Sequence, residues 1–522
     1  GIDSKSFIIL DDKDQITAIG SQIWYQYSFI SAVMHSYYIK QFLAKPRVTV
    51  SFQKWIETSK NKWEANYNDL LLLGFSRLKD DLNTALSYFE KARKNFPDKP
   101  GGYKWSAYIL GELGDYDQSI ALYEKYFQMV PKTKDIYSFG VILEKALKMD
   151  KARKVYKELI EIMPQSPCGY QRIGMTYFKE KNYKKAAFWY RKALKVKPDF
   201  FAAYTFLARA YKEQKQYEKA IESFEKALSI NSDPFAPCYV LATTQDVDEN
   251  RKKTLLADAA LDLAKVYFQL NRFREALKYY SYALKILPTD KSSFFAFIRR
   301  EKQKAFITEK IGDAFFRLNR LSEALRRYRH AALVLKYDKA SAPVLTKLCA
   351  TYLFLKRYKN SEKACRKAVR IDKSHTNAFL LRGIANYFLA RYNIAEKLLS
   401  KYIKLTSSSP SVANTLGYFY LALTQAKTKK SYEQAVALLD KVINAKDVTE
   451  ETLVNAYSYK ILYLLLLRKQ KKAFATLKEL HSINPKRAEE LKGLFSPSTK
   501  PSLLDKEYKL YLDLKHYFFS LI

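Results

Sequence analysis

A set of aromatic and small residues recurs along this chain at nearly constant spacing, and this repetition constrains the fold more than any other feature. Tyr170, Ile173, Gly174 and Tyr177 stand three, one and three residues apart. The same frame returns 34 residues later, where Tyr204 takes the place of Tyr170. Repetition at a period of roughly 20 to 50 residues is the signature of an array in which each unit packs only against its neighbours.

The second part of the repeated frame is a small residue followed four positions later by a larger one. Eleven such pairs follow one another: Ala85/Phe89, Ser119/Tyr123, Ala152/Tyr156, Ala186/Tyr190, Ala220/Phe224, Ala276/Tyr280, Ala324/Tyr328, Ser361/Cys365, Ala395/Leu399, Ala435/Leu439 and Ala473/Leu477. The pairs are 33 to 40 residues apart, except where the chain carries insertions around 233–253 and 289–304. The sequence therefore predicts eleven helical hairpins between about residues 66 and 487.

This pattern resembles the tetratricopeptide repeat, whose first helix carries W-x2-L-G-x2-Y and whose second carries A-x3-F before a proline. The resemblance is strongest at the centre of the chain and weakest in the eighth to tenth units, where Cys, Leu and Ser replace signature residues. It implies an all-α fold, a right-handed α-solenoid formed by a superhelix of antiparallel helix hairpins. Stacked hairpins bury one continuous core, so we expect an elongated, curved particle.

The repeat frame divides the chain into five parts. An N-terminal helical or irregular segment (1–65) precedes repeats one to five (66–232), an insertion (233–256), repeats six to eleven with insertions (257–487) and C-terminal capping helices (488–522). The N-terminal segment contains an uncharged stretch, 15–39, that is long enough to span a bilayer. Polar side chains are scattered through that stretch, so we favour a buried, aromatic-rich helical segment over a membrane span.

The sequence offers little that could carry catalysis. It has no Gly-rich phosphate loop, and its five histidines are far apart in the repeat frame, so we expect no metal and no cofactor. The prediction is a non-enzymatic protein with no small-molecule substrate. The alternative is a regulatory region of a larger enzyme.

Four cysteines in 522 residues are too few for a disulfide framework. Cys349 and Cys365 fall on the two helices of the eighth unit, at positions expected to hold small residues. We expect two thiols that act as compact apolar fillers. A disulfide between them is the alternative, and it requires Cβ atoms about 4 Å apart.

The resemblance implies that the first helix of each hairpin lines a concave groove. The ninth and twelfth residues of the units then predict its lining: Met175, Phe178, Arg209, Lys212, Lys265, Phe268, Asp313, Phe316, Ala350, Leu353, Ile384, Tyr387, Tyr418 and Leu421. We expect this groove to bind a helical or extended peptide segment of a protein partner, with the aromatic side chains as anchors. The alternative is that elongated helices or the N-terminal segment fill the groove within the same chain.

Positive charge is the second global feature. The net charge is +38, and residues 251–430 alone hold 38 basic and 12 acidic side chains. The repeat frame places much of this excess on second helices and insertions, where it predicts a basic surface over 291–370: Arg299, Arg300, Arg326, Arg327, Arg329, Lys363, Arg366, Lys367 and Arg370. The simplest reading of such a surface is a solvated face that keeps the protein soluble.

The size of the charge excess instead favours attraction of an anionic partner. We expect a scaffold or adaptor within a multi-protein assembly that binds acidic or helical peptide segments. A nucleic-acid-binding solenoid and an anionic membrane surface are the alternatives. The Lys-, Tyr- and Phe-rich, Gly-poor composition is also similar to tetratricopeptide proteins of low-GC bacteria, including spirochaetes, where such scaffolds serve envelope and flagellar assemblies. Localisation stays open between the cytoplasm and a membrane-anchored periplasmic form.

Overall fold

A computed structural model describes residues 8–10, 16–19 and 67–495, apart from 79–80, 134, 231–248, 289–293, 337, 407–411, 429–430 and 446–447. Strands β1 (Ile8–Leu10) and β2 (Ile16–Ile19) pair in an antiparallel hairpin. From Tyr67 onward, all regular secondary structure in the described ranges is helical. The predicted all-α fold is thus confirmed for the repeat region.

The helices follow one another as first and second helices of eleven hairpins. They are α1 (Tyr67–Arg77), α2 (Leu82–Asn95), α3 (Pro100–Leu113), α4 (Tyr116–Met129), α5 (Ile136–Lys145), α6 (Met149–Ile162), α7 (Cys168–Lys179), α8 (Tyr183–Val196), α9 (Phe201–Glu213), α10 (Tyr217–Ser229), α11 (Glu249–Gln269), α12 (Phe273–Ile286), α13 (Phe294–Arg317), α14 (Leu321–Leu335), α15 (Ser341–Phe354), α16 (Tyr358–Ile371), α17 (Thr376–Phe388), α18 (Tyr392–Thr406), α19 (Val412–Thr428), α20 (Tyr432–Ile443), α21 (Glu450–Leu466) and α22 (Gln470–Ile483). A further helix, α23 (Pro485–Lys492), and a 3-10 turn, Gly493–Phe495, follow the last hairpin.

The chain forms two compact units, Gly1–Val266 and Tyr267–Ile522, and the boundary falls within α11. In the first unit, each helix from α1 to α10 packs against the next along the chain. In the second unit the same holds from α12 to α23. This neighbour-to-neighbour packing is that of an α-solenoid, in which no hairpin buries its apolar face alone.

The two helices of a hairpin meet where a glycine faces an aromatic ring. Gly174, the eighth residue of the fourth repeat, lies against Tyr190, its twenty-fourth, and a Cβ on Gly174 would stand 2.6 Å from the ring. A Cβ on Gly140 would likewise stand 2.4 Å from the ring of Tyr156. No side chain fits at such a distance, so glycine here is required by close approach.

In the eighth repeat the same two positions are covalently joined. Cys349 is the eighth residue of that repeat and Cys365 the twenty-fourth, and a disulfide links them across a Cα–Cα distance of 5.4 Å. Our expectation of two apolar thiols was therefore wrong. The repeat frame held the missed signal, because position twenty-four normally carries an aromatic side chain that touches position eight. Cys168 is also disulfide-bonded.

The turn inside most hairpins uses one residue in the left-handed region. Gly114 takes φ 94°, and Leu147, Lys181, Lys215, Asn271, Asn319, Lys356, Ala390 and Arg468 take φ between 56° and 60°. The second helix then begins with a capping residue in several repeats. Asp115 and Asn182, for example, each accept a hydrogen bond from the backbone N–H three residues later, at 3.2 Å. The turn thus has a regular backbone conformation even where its sequence varies.

Parts of the predicted insertions turn out to be helical. Helices α11 and α13 begin at Glu249 and Phe294, so each extends the first helix of its repeat toward the N-terminus. The helical segment expected over 15–39 is described only at 16–19, where the chain forms a strand. The capping helix predicted over 501–522 lies outside the described residues. The five-part division of the chain stays a prediction.

Candidate partner-binding surfaces

The residues predicted to line the groove lie on first helices, but they differ in exposure. Eight are half-buried and reach the surface: Met175, Phe178, Arg209, Lys212, Lys265, Phe268, Tyr387 and Tyr418. Four are buried: Phe316, Leu353, Ile384 and Leu421. Asp313 and Ala350, from the same pair of positions, are buried as well. The half-buried residues are those that a partner could contact without rearrangement of the helices.

Some members of this set, buried and half-buried, pack against neighbouring helices. Helix α17 contacts the neighbouring first helices α15 and α19 directly. The ring of Phe316 packs edge-on against Phe354 with centroids 6.1 Å apart. Tyr387 packs against Tyr420 and Tyr392 with centroids 5.6 and 5.7 Å apart. In this region the first helices form core as much as surface.

Two of the half-buried basic side chains are held by one carboxylate. Arg209 on α9 and Lys265 on α11 contact Asp262 at 2.7 and 3.0 Å. Burial alone raises the pKa of Asp262, but these two cations hold it below its ordinary value of 3.8. Arg209 and Lys265 are therefore fixed in direction, and part of their charge is neutralised.

A buried ionic cluster lies between the first helices of the seventh and eighth repeats. The ammonium of Lys347 on α15 contacts Asp313 at 2.8 Å and Glu309 at 2.6 Å, both on α13. The Tyr328 hydroxyl on α14 donates to Asp313 at 2.9 Å. Burial lowers the pKa of Lys347, but the two carboxylates outweigh it and hold the pKa above its ordinary value. The cluster ties the eighth repeat to the seventh, and Asp313 faces the protein interior.

The nine residues of the predicted basic surface are mostly exposed. Arg299, Arg326, Arg329, Lys363, Arg366, Lys367 and Arg370 are exposed, and Arg300 and Arg327 are half-buried. Arg329 donates to the Tyr352 hydroxyl at 2.8 Å, and Arg366 pairs with Glu362 at 2.6 Å. These two residues have structural partners, so their loss would disturb packing as well as charge.

We use the name cationic face for four of the exposed cations on the seventh and eighth second helices: Arg326 on α14 and Lys363, Lys367 and Arg370 on α16. None of the four has an ion pair among the described residues. Spacings of four and three residues place the three α16 cations on one side of the helix. The one carboxylate of α16, Glu362, is only 3% exposed. The three cations of α16 therefore carry positive charge that is not compensated within that helix.

The contacts of Glu362 explain why its carboxylate stays away from the exposed cations of α16. It contacts Arg366 and, on the next first helix, Arg382 at 3.2 Å. Burial raises the pKa of Glu362, but the hydrogen bonds and charges of the two arginines hold it below its ordinary value. The carboxylate stays ionised and turned inward, while Lys363, Lys367 and Arg370 point to solvent.

Other kinds of site receive no support from the part of the chain that is described. Within those ranges, no group of three or more His, Cys, Asp and Glu side chains is placed to hold a metal ion. None of the described helices combines the length and the apolarity needed to cross a bilayer.

Family models of the tetratricopeptide repeat match six segments of the chain. The matched residues are 70–99, 103–133, 167–200, 201–234, 257–290 and 343–375. They correspond to the first, second, fourth, fifth, sixth and eighth hairpins. The match at 343–375 includes the eighth unit, where the resemblance by signature residues was weak.

No curated protein matches the sequence. Solved structures with similar folds include the APC/C hetero-tetramer Cut9–Hcn1 (14% identity, 84% of this chain and 98% of that chain, TM-score 0.39). A tetratricopeptide repeat protein from Parabacteroides merdae is 17% identical over 56% of this chain and 98% of its own, with a TM-score of 0.37. YrrB, described as having an unusual peptide-binding site, is 19% identical over 43% of this chain and 95% of its own, with a TM-score of 0.33. At these TM-scores the likenesses carry no argument about function.

Proposed function

Because this chain belongs to the tetratricopeptide-repeat superfamily, a class of protein-interaction scaffolds, we propose that it is a non-enzymatic adaptor that recruits an acidic protein partner. The observation that carries the proposal is the cationic face on α14 and α16. Half-buried first-helix residues are a separate candidate surface, where apolar side chains would anchor a peptide segment.

The first-helix contact is best supported in the fourth repeat. Met175 and Phe178 lie on α7, half-buried and near the solvent boundary. Phe178 packs edge-on against Tyr183 with centroids 5.2 Å apart, which holds its ring in place. Rigid aromatic and methionine side chains are typical anchors for peptide segments, since little side-chain entropy is lost on binding. We propose that a helical or extended segment of a protein partner binds here.

The cationic face favours protein over nucleic acid. Single-stranded nucleic acids bind where exposed aromatic rings alternate with cations, because bases stack on those rings. On α14 and α16 the tyrosines do not provide such a platform, since Tyr328 is fully buried and one face of the Tyr358 ring already stacks on Phe388, with centroids 4.7 Å apart. Uncompensated lysines and arginines without stacking rings suit carboxylates of an acidic protein, whose association they would accelerate.

Affinity capture with the full-length chain at low and moderate salt, read out by mass spectrometry, tests the proposal. The test variant reverses the cationic face, with Arg326, Lys363, Lys367 and Arg370 changed to Glu. The matched control reverses four exposed lysines of the second helices α6 and α8, namely Lys151, Lys154, Lys157 and Lys184. Both variants change the net charge equally, so only the position of the charge differs.

We expect acidic proteins captured by the wild type and the control variant to be lost from the test variant. A nuclease-treated extract should give the same result. Capture that depends on intact nucleic acid would favour a nucleic-acid-binding solenoid instead. Equal loss in both variants would show a general charge effect, and the cationic face would then have no specific role.

A further inference from the structure

We propose that the Cys349–Cys365 disulfide is a redox-sensitive lock on the α15–α16 hairpin and that its reduction weakens binding at the cationic face. The lock itself follows from the geometry of the eighth repeat. Its effect on binding rests on the proposed function, since α16 carries three of the four residues of the face.

The disulfide occupies the two positions at which a glycine and an aromatic ring pack together in other repeats. In other repeats a glycine at position eight receives a tyrosine ring from position twenty-four, as Gly312 receives Tyr328 in the seventh repeat. In the eighth repeat two small residues occupy these positions, and both are 0% exposed. Two unbonded sulfur atoms fill much less space than a ring, so the covalent bond supplies the connection that packing supplies elsewhere.

Reduction should disturb this site for a second reason. Reduction removes the bond that joins the two helices at this position and adds a hydrogen atom to each sulfur. The site is also tightly surrounded, because the Ser361 hydroxyl donates to the Cys349 carbonyl at 2.9 Å and lies 3.1 Å from its sulfur. The two thiols therefore need either new rotamers or a wider hairpin, and both loosen α16 against α15.

The chemistry requires a dithiol reductant and a transient opening. Because both sulfur atoms are buried, a thiolate can attack only when the hairpin opens locally. The attack forms a mixed disulfide and releases one cysteine thiolate, and the second thiol of the reductant then displaces the other. Two electrons and two protons pass to the protein, and the reductant leaves as its own disulfide. An oxidising compartment would form the bond and keep the lock closed.

The lock joins α15 to the helix that carries three of the four residues of the cationic face. Lys363, Lys367 and Arg370 stand two residues before, two after and five after Cys365 on α16. A rigid helix presents these charges in a fixed array, and binding to a fixed array costs less ordering than binding to a mobile one. Reduction would leave the charges in place but lose their preorganisation.

The first test is whether the bond is present in the protein from its native cells. Free thiols are blocked by alkylation at lysis, and the full-length chain is digested with trypsin without reductant. We expect the peptide 348–356 linked to the peptide 364–366. Alkylated Cys349 and Cys365 in unlinked peptides would overturn the proposal.

The second test compares hydrogen exchange of the oxidised and dithiothreitol-reduced full-length chain. A disulfide that closes a loop of this length should slow local opening by about a hundredfold, so we expect α15 and α16 to exchange about a hundredfold faster after reduction. The matched control is the double variant Cys349→Gly/Cys365→Tyr, which installs the glycine–tyrosine pair of other repeats. In this variant α15 and α16 should not respond to reductant.

Unchanged exchange of α15 and α16 in the reduced wild type would overturn the lock. The same response in the double variant would also overturn it, because the effect would then arise from another disulfide. Should the double variant fail to fold, helices α3 and α4 of the reduced wild type serve as the internal reference. A general acceleration that includes those helices would count against a local lock.

Poly-L-glutamate as a probe of the cationic face separates the two proposals. We expect the oxidised wild type to bind it at least fivefold more tightly than the reduced form, and the double variant to bind it equally in both states. No binding by the oxidised wild type would contradict the acidic-partner proposal, while exchange would still decide the lock. Binding unaffected by a reduction that does accelerate exchange would overturn the link between lock and face.

Discussion

Removal of the Asp313 carboxylate should destabilise the junction of the seventh and eighth repeats. In Asp313→Ala, Lys347 keeps Glu309 but loses its second acid, and the side chain of Lys347 is only 8% exposed. The buried Tyr328 hydroxyl loses its acceptor. Removing one partner of a buried pair costs about 3 to 5 kcal/mol, and a buried unsatisfied hydroxyl about 1 to 3 kcal/mol. Because Glu309 remains, we expect a total of about 3 kcal/mol.

Local hydrogen exchange is the suitable measurement, since a solenoid can open one junction at a time. A loss of about 3 kcal/mol corresponds to roughly a hundredfold faster exchange of α13, α14 and α15. Adding Lys347→Met to Asp313→Ala should recover only part of the loss, because it removes the buried ammonium but leaves Glu309, whose side chain is 13% exposed, without that partner. Glu222→Ala, which breaks the exposed pair with Lys226, is the control and should have no measurable effect. Exchange in Asp313→Ala within a few-fold of wild type would refute this reasoning.

Three further predictions concern the turns, the acid range and the alternative ligand. Gly114→Ala should lower the free energy of unfolding in urea by about 1 to 2 kcal/mol, because alanine is strained in the left-handed region. A Cβ at Gly114 meets no atom within 4 Å, so no steric clash adds to this loss. The control Lys181→Ala should be near neutral, because a non-glycine residue already takes φ 60° there. The pKa of Asp262 is lower in the folded protein than its ordinary value of 3.8, so its ionised carboxylate stabilises the folded state above about pH 3.8. This contribution should be lost as the pH falls through the folded-state pKa. Asp262→Asn should therefore flatten the acid side of the stability profile, and an unchanged profile would contradict this. Anisotropy titration with a labelled DNA duplex at physiological salt should give a Kd no tighter than about 1 μM, and tighter binding that is lost on reversal of the cationic face would favour a nucleic-acid ligand.

The repeat architecture could be predicted from the sequence because the contacts that define each hairpin are local. A glycine at Gly174 and an aromatic residue at Tyr190 meet within a single hairpin, so one period of sequence contains the whole contact. The pairs of small and larger residues accordingly predicted all eleven second helices. The eighth repeat shows where signature residues fail as a guide, since Cys349 and Cys365 keep the geometry of the contact with different chemistry.

The surface was less predictable, because exposure depends on how neighbouring repeats stack. Ile384 and Tyr387 are the ninth and twelfth residues of one repeat and were both predicted to line the groove, yet the first is buried and the second half-buried. Likewise the repeat frame predicts Asp313 as a groove residue, but its carboxylate is buried and pairs with Lys347 of the next repeat. Charge on second helices was easier to predict, since those positions face away from the hairpin core.

The association rate constant between the full-length chain and a captured acidic partner tests the central claim most directly. Stopped-flow measurements over a range of ionic strength would compare the wild type, the variant with a reversed cationic face and the control variant reversed at α6 and α8. We predict that association of the face variant is at least tenfold slower and nearly independent of salt, with little change in the dissociation rate. The control variant should retain most of the wild-type rate. Equal association rates for the face and control variants would contradict the claim that this face recruits the partner.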